Sequence, residues 1–322
     1  MFSVNNIYNI EEFSNIEIGD TAEILNRADL DWQLMLKPCL YFNEKKELIV
    51  GSKRYLLLDR GNELVEMAVV GKDYKCVQPT QIIKIFQQIH KAVPMELLTA
   101  GHTRDGKYIY IIGKLLAHPK SRIEDICSLS RCLIVHVCND GNGKMKATAV
   151  TINERTGSQM AALISEKATP VLFELSHHFD FDEKEAVYNI QTSIQDNFDA
   201  FNDELMLFSS VEISKIEIDE FIHQIFNRFN IGNDKTKRNY HRVTQELKEH
   251  FNIISKDQPF EVQNTALSLF MFFCDYLDFS KSRKGGKSGR IHAINFGADA
   301  VSKREAFRIV YKITNDKIKE GT

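Results

Sequence analysis

The chain has 322 residues, 43% of them hydrophobic and 26% charged, with six prolines and 16 glycines, a composition that excludes low-complexity and collagen-like chains. No apolar run is long enough for a bilayer span, and the N-terminus lacks a basic start followed by an apolar stretch, so neither a membrane span nor a secretion signal is expected. The formal net charge of −3 conceals a division: Glu174–Glu220 holds 13 acidic and two basic residues, Phe221–Thr322 holds 18 basic and 11 acidic. An anionic partner is therefore sought in the final third.

In chain order, Thr21 to Asp31 reads as a short helix capped by Asp20. Strand-like pieces follow, "LMLKPCLYF", "ELIVGSKRYLLLD", "ELVEMAVVG" and "YKCVQ", with Gly61-Asn62 as a hairpin turn. Thr80 is placed to cap the helix "QIIKIFQQIHKA", whose Ile82, Ile85, Phe86 and Ile89 share a face. Two more hairpins turn at Asp105-Gly106 and around Asp140-Gly141. From Glu183 onward the spacing is helical, including a helix at 263–278 with Leu267, Phe270, Met271 and Cys274 in a core, and a terminal helix. The expected class is α+β: an antiparallel, strand-rich unit with a packed helix over residues 1–170, then a mostly helical half over 171–322 with a basic surface.

The stretch "SRKGGKSGR" at 282–290 contains Gly286-Lys287-Ser288, the end of a nucleotide phosphate loop. Such a loop needs a glycine where Lys281 stands, a strand leading in and a helix leading out. Here a helical pattern precedes, and "RIHAINF" after it alternates like a strand, so nucleotide hydrolysis is not expected. What remains is a dense positive charge, Lys281, Arg283, Lys284, Lys287 and Arg290, suited to phosphate or to a solvated loop. A second group is Lys235, Lys237, Arg238 and Arg242, with Tyr240 and His241 between them, and a third is Lys303, Arg304 and Arg308. Cations with interleaved aromatics suit a sequence-tolerant binder of DNA.

The order of pieces resembles the phage/plasmid-like family of unknown function, the domain of unknown function 932. The resemblance rests on "DLDWQLMLKP", "KRYLLLDRGNELVEMAVVGKDYKCVQPTQIIKIFQQI", "TAGHTRDGKYIYIIGKL" and "CNDGNGKMKATAVTI". It continues through "FELSHHFDF" and "NTALSLFMFFCDYLDFSKSRKGGKSGRIHAINFGADAVSKREAF". It departs at "INERTGSQM", where the family carries Arg-Val-Val-Cys followed by Asn-Thr. The resemblance implies a setting in phages and mobile elements of bacteria, and no established reaction.

"HHFDFD" brings together His177, His178, Asp180 and Asp182, all metal-binding types, but a site would need a further ligand that no motif marks; a strand end or a helix start capped by Asp182 fits equally. Asp275 and Asp278, three apart beside the basic loop, suit magnesium or pairing with Lys281 and Arg283. Cys132, His136 and Cys138 share one parity of a strand, and burial preference favours core over metal. Cysteines 39, 76, 127, 132, 138 and 274 form no Cys-x-x-Cys pair, which predicts reduced thiols and a cytoplasmic protein. No cofactor is expected, and an enzyme only as the least favoured alternative, a metal-dependent one using the "HHFDFD" region. The leading expectation is a phage- or plasmid-encoded nucleic-acid-binding accessory protein, active in single-stranded DNA binding or strand annealing, with homo-oligomers compatible. The alternative is an anti-defence protein whose acidic stretch engages a host complex.

Overall fold

The computed structural model describes residues 13–320 apart from 14, 62, 117–119, 142, 161–170, 178–182, 228–240, 250, 252–257 and 282–284. Helix α1 (Thr21–Arg27) starts where Asp20 accepts the Glu23 amide, 3.0 Å away, and ends four residues earlier than the sequence pattern suggests. Strands β1 (Gln33–Phe42), β2 (Leu48–Asp59) and β3 (Leu64–Gly71) form an antiparallel three-stranded sheet, with the expected turn at Gly61 in a left-handed conformation. "YKCVQ" is not a strand. Its backbone and side chains instead tie other segments together: Lys75 N–H donates to the His177 carbonyl, and the Gln78 amide pairs with both backbone groups of Leu34.

Helix α2 (Pro79–Ala92) opens on proline, whose missing N–H is no loss in a first turn, so Thr80 lies inside the helix and is not its cap. Its buried Ile82, Ile83, Phe86 and Ile89 press on the second sheet. That sheet runs in the order β4 (Met95–Thr103), β5 (Tyr108–Leu115), β6 (Leu129–Cys138), β7 (Lys144–Asn153) and β8 (Gln159–Met160), with β9 (Val171–Ser176) also pairing β7. Both predicted hairpin turns are present, at Gly106 and Gly141, each with positive φ. The short α3 (Arg122–Cys127) is held by a reciprocal Ser121–Glu124 cap. Gly113 lies where α2 crosses β5: a Cβ there would meet the Phe86 ring at 2.6 Å and the Met95 sulfur at 3.1 Å. Close approach of helix to sheet requires glycine at that point.

Helices α4 (Glu183–Ser209), α5 (Lys215–Asn227), α6 (residues 241–249), α7 (Ala266–Asp275), α8 (Gly286–Asn295) and α9 (Ala298–Glu320) complete the second half. All ten residues of α7 are buried, as befits a helix apolar on every side, and one turn of π-helix, Tyr276–Ser280, extends it. The second sheet is covered on both faces, which explains the unbroken apolar run in β6. On one face Leu133, Val135 and Val137 join the main core with α2 and α4; on the other, Cys132 and Ile134 meet Ile291 and Ile294 of α8. "RIHAINF" is thus part of a helix, because Ile291 and Ile294, three apart, both face the sheet. The expected boundary at 170/171 precedes β9, so a strand of that sheet comes from the second half, and one apolar cluster runs from Phe13 to Ile313. Among the described residues no helix is long and apolar enough to cross a membrane.

Candidate nucleic-acid interface

Of the residues expected to contact DNA, Lys235, Lys237, Arg238, Tyr240, Arg283 and Lys284 lie outside the described residues. Arg242 is exposed on α6 and pairs with Glu246 one turn on, at 2.5 Å. The others are sorted by a buried acidic platform. Lys303, expected at the surface, is 1% exposed; its ammonium lies 2.6 Å from a carboxylate oxygen of Asp278, itself 0% exposed, and donates to the Gln159 carbonyl. It is therefore no surface contact: an ion pair taken out of water holds α9 against the π-turn and β8. Lys281 reaches the buried Asp299 at 3.2 Å, and Arg290 donates to the main-chain carbonyl of Asp278. Asp278 thus pairs with Lys303, where the sequence suggested Lys281 or Arg283.

The turn "INERTGSQM" docks on the same platform. Thr156 Oγ1 donates to Asp275 at 2.9 Å, and the Gln159 amide donates to Asp278 at 2.9 Å. Burial pushes the Asp275 carboxyl up to about 6, against the lowering effect of hydrogen bonds from Ser158 and Thr156. Burial also raises Asp278, and the neighbouring Lys303 charge only partly opposes it.

Gly285, in a left-handed conformation, opens α8, so Gly286, Lys287 and Ser288 form its first turn. A helix leads out of the Gly-Lys-Ser stretch as a phosphate loop requires, yet a helix also leads in and position 281 is lysine, so the nucleotide context is absent. Lys287 is exposed at this helix start. Farther along, α8 turns inward: Phe296 stacks on Tyr108 at 5.4 Å and meets His136 at 4.6 Å, and His292 packs edge-on to Tyr108 at 4.6 Å. Burial, then the Arg104 charge, push His292 down to about 4, so it is neutral at pH 7 and serves packing.

Arg304 remains toward solvent, half-buried, and it heads a row the sequence reading did not assemble. Arg304, Arg308 and Lys312 stand at steps of four on α9, a single face. Burial, and then the like charge of Arg308, lower the Arg304 pKa. Arg308 reaches Glu305 only at 3.8 Å. The four-residue spacing was visible in the sequence; the fate of Lys303, one residue from Arg304, was not.

His177 is buried, with its ring nitrogens 2.9 Å from the Lys75 carbonyl and 2.8 Å from that of Cys138, and whichever nitrogen carries the N–H donates, so the ring joins three segments. The other metal-binding types of that stretch, His178, Asp180 and Asp182, lie outside the described residues. Among the described residues no group of three metal-binding side chains is assembled, and all six cysteines are free thiols.

A family model described as "Domain of unknown function (DUF932)" matches residues 66–295. The chain belongs to the DUF932 family. No curated protein and no solved structure matches it. The family match takes in the second sheet, Asp275, Asp278 and α8; the α9 row and the first two strands lie outside it.

Proposed function

We propose that this DUF932 protein is a nucleic-acid-binding accessory protein of a phage or plasmid, which holds single-stranded DNA by its backbone and hydrolyses no nucleotide. The observation that carries the reading is the row Arg304, Arg308 and Lys312 on the outer face of α9. Like charges at four-residue spacing cost an isolated helix about 0.2–0.5 kcal/mol per pair, a cost that a polyanion lying along the row turns into attraction. Lys287, at the start of α8, adds a cation beside backbone N–H groups that favour phosphate. Strand annealing suits such a surface, because neutralised backbones leave the bases accessible.

The test is binding of labelled single- and double-stranded oligonucleotides over a salt series. Replacing Arg304, Arg308 and Lys312 by glutamine is expected to weaken binding to all sequences alike. The slope of log affinity against log salt should flatten by roughly 0.7 per lost single-strand contact, about 2 for all three. Ser288→Ala should leave binding unchanged, since no magnesium-nucleotide depends on that hydroxyl. Unchanged affinity and slope in the triple variant would reject the reading.

A further inference from the structure

The first sheet has a core face and a solvent face. Leu34, Leu56, Leu58 and Val70 are buried on the core face. Period-two alternation puts Met35, Lys37 and Tyr41 of β1 with Gly51, Lys53, Tyr55 and Leu57 of β2 on the other. The register agrees, with Lys37 opposite Tyr55 and Tyr41 opposite Ile49. This face continues across the irregularity between Pro38 and Leu40, because a Cβ on Gly51 would stand 3.5 Å from the Tyr41 ring. Tyr41 therefore leans over Gly51, and it is 54% exposed.

Tyr55, half-buried, comes four residues after Gly51, roughly 13 Å along the strand. The exposed Lys53 stands midway, and the exposed Lys37 lies across from Tyr55. Gly71, opposite Lys53, has open space where a side chain would be. Among the described residues neither lysine has an acidic partner. The acids of this face, Asp59 and Glu66, come beyond Tyr55, and Asp59 accepts the Gly61 amide at 2.8 Å.

The alternation of ring and cation discriminates between occupants. Lysine is depleted where one protein covers another, whereas a single strand needs both features, a cation for its phosphates and a ring face for its bases. A duplex keeps its bases stacked inside and offers the tyrosines nothing to stack on. We propose that the solvent face of the first sheet binds single-stranded nucleic acid, with bases stacked on Tyr41 and Tyr55 and the backbone passing Lys53 and Lys37. The inference rests on the reading of the chain as a nucleic-acid binder, and adds base contacts to the phosphate contacts of the α9 row. Stacking takes the flat faces of the bases and leaves their pairing edges open, as annealing requires.

Labelled oligothymidylate and a labelled hairpin duplex, titrated with the full chain over a salt series, test this. Tyr41→Leu with Tyr55→Leu is expected to weaken single-strand binding about tenfold per ring, with duplex binding and salt slope unchanged. Tyr41→Phe with Tyr55→Phe keeps both rings and should bind within about twofold of wild type. Lys37→Gln with Lys53→Gln should instead flatten the slope by roughly 0.7 per lost contact. Iodouracil-substituted oligothymidylate, irradiated with the wild type, should cross-link to Tyr41 or Tyr55, a readout that needs no variant to fold. Unchanged single-strand affinity in the leucine pair, an equal loss on the duplex, an equal loss in the phenylalanine pair, or cross-links confined to other segments would overturn the proposal. In each of those cases a loss of binding in the Arg304, Arg308 and Lys312 variant would leave the proposed function standing without it. A wild type that binds no oligonucleotide would overturn both.

Discussion

Lys303 and Arg308 stand five residues apart on one helix, carry the same charge, and have opposite fates. Lys303 points into the core and neutralises Asp278; Arg308 is exposed. Removing one partner of a buried pair strands the other, so Lys303→Met should cost roughly 3–5 kcal/mol, read from urea denaturation. Adding Asp278→Leu should recover part of that loss; no recovery would mean that the hydrogen bonds to Gln159 matter more than the charge. Asp275 has a different effect. Its folded-state pKa of about 6 exceeds the ordinary 3.8, so the folded protein holds that proton more tightly than the unfolded chain. The stability it contributes is full below pH 3.8 and is lost as pH rises through about 6. Asp275→Asn, which keeps an acceptor for Thr156, should flatten that decline and raise stability at pH 7 by on the order of 2 kcal/mol. Parallel stability–pH curves for the variant and wild type would contradict this.

Elements that announce themselves by period or by turn chemistry were legible in the sequence: the hairpins at Gly61, Gly106 and Gly141, the α2 face, and the α7 core residues. Two short segments were not. "RIHAINF" is too brief to separate period two from period 3.6, and "YKCVQ" has strand-like composition but spends its hydrogen bonds on His177 and Leu34. Helix α7 also exceeds its expected face, since Leu269, Phe272 and Phe273 are buried as fully as Phe270. Phe270 lies 5.4 Å from Phe307 of α9, ring to ring. Phe270→Ala should therefore cost about 3–5 kcal/mol, and calorimetry should show a lower Tm. An unchanged Tm would mean that the neighbouring rings close the gap.

At the scale of the molecule, sign of charge was readable but direction was not. The excess of cations in the final third is real, yet Lys281, Arg290 and Lys303 are directed to internal acids and carbonyls, while the exposed cations Lys37, Lys45, Lys46, Lys53 and Arg54 of β1, β2 and the turn between them lie in a stretch with no unusual composition. The apolar cluster that runs through both halves makes a further claim: the chain should unfold in one cooperative step. The single tryptophan, Trp32, is buried beside the first sheet and reports on that half, whereas far-UV circular dichroism reports mainly the helices. Coincident urea transitions by the two probes are expected; separated midpoints would show two independently stable units. The Lys303–Asp278 pair also has a consequence for synthesis. A ribosome releases Asp278 25 residues before Lys303, at about 5–20 residues per second. For those seconds the nascent sheet and α7 lack the ammonium that pairs with the carboxylate they must enclose, so the ion pair closes only once α9 has emerged. The last helix therefore acts as a latch on assembly, and a ribosome stalled between the two residues should display a chain whose second half is open to protease.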